Sequence, residues 1–474
     1  MTRLLIAFVL ALSACALSAC ARLPTDLPPR PTLRNPDTAT TLALLAVESG
    51  KTGAASAPEY GWTSFGLSEL NRLISRALKD RPDLAAAQAR ITLPDQAEHL
   101  ARLQTQASYS SDATLAREHL SQNGLFPPPI GGSTLTQTDL SLSVGYKLDG
   151  WDKNRSLVRA AADDARAARA ETAAVRLTLA AAVADAYFSW GHVRASLATN
   201  RELQARHRDE NRLLKARFDL GLDAAPPRIE SEIILALDED KIRALEYLDR
   251  SGRYRLSALI GSDPDHADDL PAPRLDGHLA DLPVTLPLDW LGQRPDVAAL
   301  RDRVEAASDL AQAARADFYP NIDLRMAVGL ETLDLSRLLQ AGSLSSSIGP
   351  AVHLPLFNVS TLTVRLKQRE AEYAAAVAAY NRAVLDAARE VADAYALLGN
   401  LAQRAQAQAR ATEEAHKVLT LSRRRHELGL ATPLDALVAE AALLQRQDNE
   451  ADIHATRLRA SVSLFKALGA PIKE

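Results

Sequence analysis

With 474 residues and a net charge of −4, the chain can bury a large core but carries no excess of positive charge of the kind nucleic acid demands. Its ten histidines are scattered singly. No Ser/His/Asp arrangement, phosphate-cradling glycine loop or paired metal-ligand spacing occurs, so neither catalysis nor a metal or other cofactor is expected.

Residues 1–19 read as an export signal, with Arg3, the apolar run Leu4–Leu12 and small residues after it. Two copies of Leu-Ser-Ala-Cys end at Cys15 and Cys20, the only cysteines, and each fits the processing pattern of a lipoprotein. Lipidation is expected at Cys20, with Cys15 as the alternative, because the Pro-rich stretch 23–36 follows Cys20 like a tether. Cys15 then leaves with the signal, and the mature chain has no thiol for a disulfide. Residues 20–65 make up the anchored N-terminal segment. A helix starts in 66–78 and stops near Arg81-Pro82-Asp83-Leu84.

From here the chain repeats itself. Val183-Ala184-Asp185-Ala186-Tyr187 recurs as Val391-Ala392-Asp393-Ala394-Tyr395, Gly221-Leu222 as Gly429-Leu430, and Leu259-Ile260-Gly261 as Ala467-Leu468-Gly469, always 208 residues apart. A register held that long marks a tandem duplication. The first repeat covers 66–270, with a strand pair at about 107–148 and long helices over 151–261. The second covers 271–474, with helices at 289–317, a strand pair at about 321–357 and long helices over 358–469.

Residues 154–220 predict one helix of about 100 Å. Its charges exclude a membrane span, so its apolar face must pack sideways against other helices. That face is Val175, Leu179, Val183, Ala186 and Trp190, matched by Val384, Ala387, Val391, Ala394 and Leu398 in the second copy. The period then changes to two. Leu140, Leu142, Val144, Tyr146 and Leu148 alternate with polar or small residues, as do Ile322, Leu324, Met326, Val328 and Leu330, and Ile348, Pro350, Val352, Leu354 and Leu356. The fourth strand, 109–117, is weaker. Ten alternating residues suit either a transmembrane barrel strand or a soluble antiparallel sheet with one wet face. Four strands cannot close a membrane barrel alone, so a membrane sheet would have to be pooled with other copies.

These residues together resemble the outer-membrane efflux factors, the trimeric channel-tunnels of tripartite efflux systems, and in particular their lipoprotein branch. The resemblance rests on Cys20 with its Pro-rich sequel, on Leu286-Pro287-Leu288-Asp289-Trp290-Leu291 leading into Arg294-Pro295-Asp296-Val297, and on Phe318-Tyr319-Pro320. It continues through Gly349-Pro350, Leu354-Pro355-Leu356-Phe357 and the closing Leu468-Gly469-Ala470-Pro471. It implies a mainly α protein with a transmembrane β-barrel. Four strands per subunit would form a trimeric twelve-stranded barrel, and the duplicated long antiparallel helices an α-barrel. It also implies a homotrimer in the outer membrane, lipid-anchored and reaching into the periplasm, that passively exports drugs or other small molecules. A periplasmic adaptor would dock at the helix tips, Gly221-Leu222 and Gly429-Leu430, and link the channel to an inner-membrane pump. An apolar constriction at Leu434 is expected at the periplasmic end, with Asp435 reaching Arg423, Arg424 or Arg425 across a helix or subunit boundary. The family's acidic residue one turn further on is here Val438. Pro94 predicts a kink or a shortened helix over 84–103. The rival readings are a lipidated adaptor, which would carry one hairpin, and a coiled-coil envelope scaffold, which would lack ten-residue alternating strands.

Overall fold

A computed structural model of the chain describes residues 23–34, 62–80, 82–278, 289–355 and 357–469. Both cysteines, Arg81, Leu286-Pro287-Leu288, Leu356 and Ala470-Pro471 lie outside the described residues. After a short 3₁₀ turn at Trp62–Phe65 come α1 (Ser68–Asp80), α2 (Pro82–Leu103), β1 (Ser108–His119) and β2 (Thr134–Leu148). The first long hairpin follows as α3 (Lys153–Asp219) and α4 (Ala225–Leu259). The second half gives α5 (Asp289–Gln293), α6 (Pro295–Ala316), β3 (Asn321–Thr332), β4 (Leu344–His353), α7 (Val359–Glu427) and α8 (Pro433–Ala467). Helices α3 and α7 have 67 and 69 residues.

Two compact units emerge, and each draws on both repeats. One takes in Arg90–Arg169, Ala299–Tyr380 and the segment ending at Leu33; the other takes in Arg34–Ala89, Ala170–Ala298 and 381 onward. The interleaving has a simple cause: β2 of the first repeat pairs with β3 of the second, so the two halves share one sheet.

In the helical unit the expected stripe packs as its spacing requires. Leu179, Val183, Ala186 and Trp190 are buried, and so are Val384, Ala387, Val391, Ala394 and Leu398. Val175 is 40% exposed, so the stripe begins one step later than the periodicity suggested. Helix α1 buries Leu70, Leu73, Ile74 and Ala77 in the same cluster as Trp62, Phe65, Tyr187, Phe188 and Phe465. The Phe65 ring meets those of Phe188 and Phe465 at 5.1 and 5.4 Å. Tyr187, the last residue of the duplicated pentapeptide, accepts the Arg274 N–H at 2.9 Å.

The Arg-Pro-Asp motif holds the end of the last helix. Arg294, 6% exposed, donates to Asp296 at 2.7 and 3.0 Å, to Glu390 at 2.9 Å and to the Ala467 carbonyl at 2.9 Å, which lies in the last turn of α8. Gly469 stands beside it at φ +67°, and a Cβ there would lie 3.1 Å from the Arg294 Cα. Burial alone would raise the Asp296 carboxyl, but the two hydrogen bonds from Arg294 win and hold it below the ordinary carboxylate range. A carboxyl depressed on folding adds stability above its unfolded pKa, and that stability is lost as the pH falls through the folded value.

In the other unit the supposed tether is pinned where it is described. Asp26 pairs with Lys367 at 2.5 Å, and Leu27 packs against the cluster of Phe318, Leu362 and Leu366. Arg30 reaches the buried Glu370 at 3.5 Å, and the same carboxylate takes Arg315 at 2.6 Å. Helix α2 runs unbroken through Pro94, so the expected shortening does not occur. Proline removes one backbone donor, but the surrounding positions are largely exposed, and water can take the freed carbonyl of Arg90. Strand β4 also corrects the expectation, ending at His353 and not at 356. Its ladder stops where β3 begins, at the Asn321–His353 pair, and Leu354 and Pro355 have no strand opposite them.

Two predictions follow from these ion pairs. Arg315→Met leaves Glu370 buried with only its longer contact and should cost about 2 kcal/mol locally, whereas Arg30→Met should cost about 1 kcal/mol or less. Hydrogen exchange across α6 and α7 measures the first, and protease sensitivity of residues 23–34 the second. The stability gap between wild type and Asp296→Asn should be full at neutral pH and shrink below about pH 4, as acid titrations of unfolding will show.

Candidate channel wall and helix tips

The sheet has the order β1-β2-β3-β4, antiparallel throughout. Its register brings the three sequence alternations onto one face. Leu142 lies opposite Val328, Val144 opposite Met326 and Tyr146 opposite Leu324. Met326 in turn faces Ile348, and Ile322 faces Val352. On the other face Ser143 pairs with Ser110 and Ala327, and Asp323 with Ala351. The apolar face is bare in the single chain: Leu142 is 52% exposed, Met326 48% and Ile348 69%. Strand β1 joins through the full ladder Ser108–His119 although its own alternation is weak. Its outer edge and that of β4 are unpaired among the described residues.

At the first tip, Gly221 takes φ +71° and the Leu222 N–H bonds back to the Arg217 carbonyl at 2.9 Å. At the second, Gly429 takes φ +73° and the Leu430 N–H bonds to the Arg425 carbonyl at 2.8 Å. A Cβ at either glycine would meet nothing within 4 Å, so the left-handed backbone, and not space, is what calls for glycine. Each glycine is flanked by exposed leucines, Leu220 and Leu222 at 75% and 64%, Leu428 and Leu430 at 56% and 66%.

The residues expected at a constriction are brought to one hairpin end, but not as a mutual ion-pair set. Asp435 closes a capping box, its carboxylate accepting the Thr432 N–H and hydroxyl, each at 2.8 Å. Those bonds hold its carboxyl below the usual range, with Arg425 adding a smaller push. Arg423 pairs with Glu440 at 3.2 Å and Arg424 with Glu427 at 3.0 Å. Within the chain, therefore, the expected Asp435–arginine pairing is replaced by a helix cap, because an acid at the third helical position bonds its own N-terminus first. Leu434 is half-buried beside it. Glu440, which sequence reasoning missed, also lies 3.5 Å from Arg206 of α3. A second polar pair was missed too: buried Asn200 donates to Asp448 at 3.2 Å. Nothing in the spacing of 248 residues announces it. Among the described residues no group of three or more His, Cys, Asp or Glu side chains gathers as a metal site requires.

A sheet with one bare apolar face and two unpaired edges, joined to two duplicated long hairpins, defines a pooled channel subunit. Residues 73–261 and 286–470 match the outer membrane efflux protein family, and the chain belongs to that family. It is 30% identical over 420 residues to the multidrug resistance outer membrane protein MdtP of Escherichia coli K12, covering 86% of this chain and 85% of that one. Among solved structures it resembles the outer membrane protein VceC of Vibrio cholerae, with a TM-score of 0.77 and 29% identity over 87% of this chain and 98% of that one. Its fold also matches the outer-membrane channel OprN, with a TM-score of 0.81 and 22% identity over 95% and 99% of the two chains. The fold is thus that of a trimeric channel-tunnel, mainly α with a transmembrane β-barrel to which each subunit gives four strands.

In such a barrel the apolar face meets lipid. Val328→Arg, near mid-strand, should therefore cost about 2–4 kcal/mol, whereas Ala327→Arg on the opposite face should leave assembly intact and change conductance. Heat-resistant trimer on gels reads the first and single-channel recording the second. Equal effects at 327 and 328 would show that the face assignment is wrong.

Proposed function

We propose that this protein, as a homotrimer, is the passive outer-membrane exit duct of a tripartite efflux system. Small molecules, drugs among them, are delivered to it by an inner-membrane pump through a periplasmic adaptor. The observation that carries this reading is the single apolar face formed in register by strands of both repeats, because it needs lipid on one side and further copies at its edges. The multidrug resistance named for MdtP supports the substrate class. The adaptor reading fits less well, since two hairpins and two strand pairs recur here. The exposed leucines beside Gly221 and Gly429 suit an apolar contact with the adaptor. Cys20 carries the lipid and holds the mature N-terminus at the membrane, while the helices extend into the periplasm. Leu434 forms the constriction where three second tips converge. The cap at Asp435 and the pairs Arg423–Glu440 and Arg424–Glu427 brace it.

Purified trimer in planar bilayers should conduct, with small currents at rest; a protein that never conducts has no duct. Leu434→Ala combined with Asp435→Ala should raise single-channel conductance and drug leak through the outer membrane, and an unchanged conductance would place the constriction elsewhere. Mass spectrometry of the mature protein should find an acylated N-terminal Cys20. Cys20→Ala should stay exported but anchor less firmly, because the barrel still holds it in the bilayer.

A further inference from the structure

Helix α1 divides into two faces. Leu70, Leu73, Ile74 and Ala77 are buried, while Arg72, Ser75, Arg76 and Lys79 are exposed. Positions 72, 76 and 79 succeed one another by about a turn, so three cationic heads line one side of the helix over about 10 Å. The stripe borders two adjoining open clefts of about 530 Å³ and about 410 Å³, both of which Arg72 and Arg76 line. Arg76 is held in place, its Nη2 donating to the Ser262 Oγ at 2.7 Å. Glu69 and Asp269 also line the first cleft, Glu69 accepting the Tyr187 hydroxyl at 3.5 Å and Asp269 lying 3.5 Å from His266, whereas no carboxylate among the described residues lines the second. Arg72 and Lys79 form no ion pair with a described residue. The second cleft is therefore lined by three cations on a chain that is net negative.

We propose that this stripe docks a carboxylate-bearing peptide polymer of the periplasm, the cross-linked peptides of the cell wall. Cations one helical turn apart match carboxylates carried two residues apart on an extended peptide. The amide of Asn71 and the hydroxyls of Ser75 and Ser262, which line the same clefts, suit peptide groups between those carboxylates. Open clefts admit a polymer passing through, where a small ligand would need enclosure. The contact would steady the helical part of the channel against the wall. It rests on the reading above that this part lies in the periplasm.

The test is co-sedimentation of purified full-length trimer with isolated cell-wall sacculi. Exposed ion pairs contribute roughly two- to threefold each, so the triple variant Arg72→Ala, Arg76→Ala, Lys79→Ala should bind about tenfold more weakly than wild type. Lys79→Glu alone, at an exposed position, should lose binding in the same direction. Arg194→Ala with Arg201→Ala and Arg250→Ala, which removes three cations from another cleft of the same unit, should bind like wild type. Sacculi whose carboxyls have been amidated should not pellet the wild type. The proposal is overturned if the triple and Lys79→Glu variants pellet like wild type, if amidated sacculi serve as well, or if anionic phospholipid vesicles capture the protein as strongly through the same residues. Because the sacculi are supplied to purified protein, the outcome is independent of sidedness, which protease access to the helices in spheroplasts tests separately.

Discussion

The amide and carbonyl groups along the outer edges of β1 and β4 have no partner within the chain's own sheet, and in hydrocarbon no water can take their place. Each unsatisfied group there costs several kcal/mol, so a lone chain cannot keep this sheet in a membrane. Twelve strands from three chains remove the edges altogether, which is why the channel fold is a property of the trimer. The duplication serves the same end. With β2 of one repeat laddered to β3 of the other, every chain brings a four-stranded block whose apolar residues already share a face.

Duplication fixed the pattern without fixing the partners. In the first pentapeptide Asp185 is reached by Arg459 at 2.7 Å and by Arg255 at 3.5 Å, both from other helices. Its counterpart Asp393 pairs with Arg389 on its own helix at 2.8 Å. The valine, the second alanine and the tyrosine are buried in both copies, because their spacing serves helix packing, whereas Ala184 is fully buried and Ala392 only half-buried. The charged members have diverged, each taking whichever guanidinium its surroundings supply.

Two local devices limit what can move. The buried Glu370 joins Arg30 of the N-terminal segment to α6 and α7, so residues 23–34 are held against those helices. At the second tip the capping box of Thr432 and Asp435 fixes the first turn of α8, with Leu434 half-buried in that turn and Leu428 and Leu430 exposed before it. Exposed pairs such as Arg424–Glu427 are individually weak, which suits the docking proposed for this tip.

The sequence by itself determined the repeat, the long helices, the tip glycines and the faces of β2 and β3. Each of these is written in periods of 3.6 or 2, or in a residue whose backbone freedom is needed, and such signals are local. It also pointed to the family through motifs that one buried residue now explains in part: Arg294 ties its own Arg-Pro-Asp-Val to the last turn of α8, just before Leu468-Gly469. Only the tertiary structure decided that β4 ends at His353, that α2 continues through Pro94, and that Asp435 caps a helix while Arg423 goes to Glu440. Those outcomes depend on which groups are brought within hydrogen-bonding reach by packing. Spacing along a chain says nothing about the distance between Asn200 and Asp448, or between Arg30 and Glu370, until the helices that carry them lie side by side.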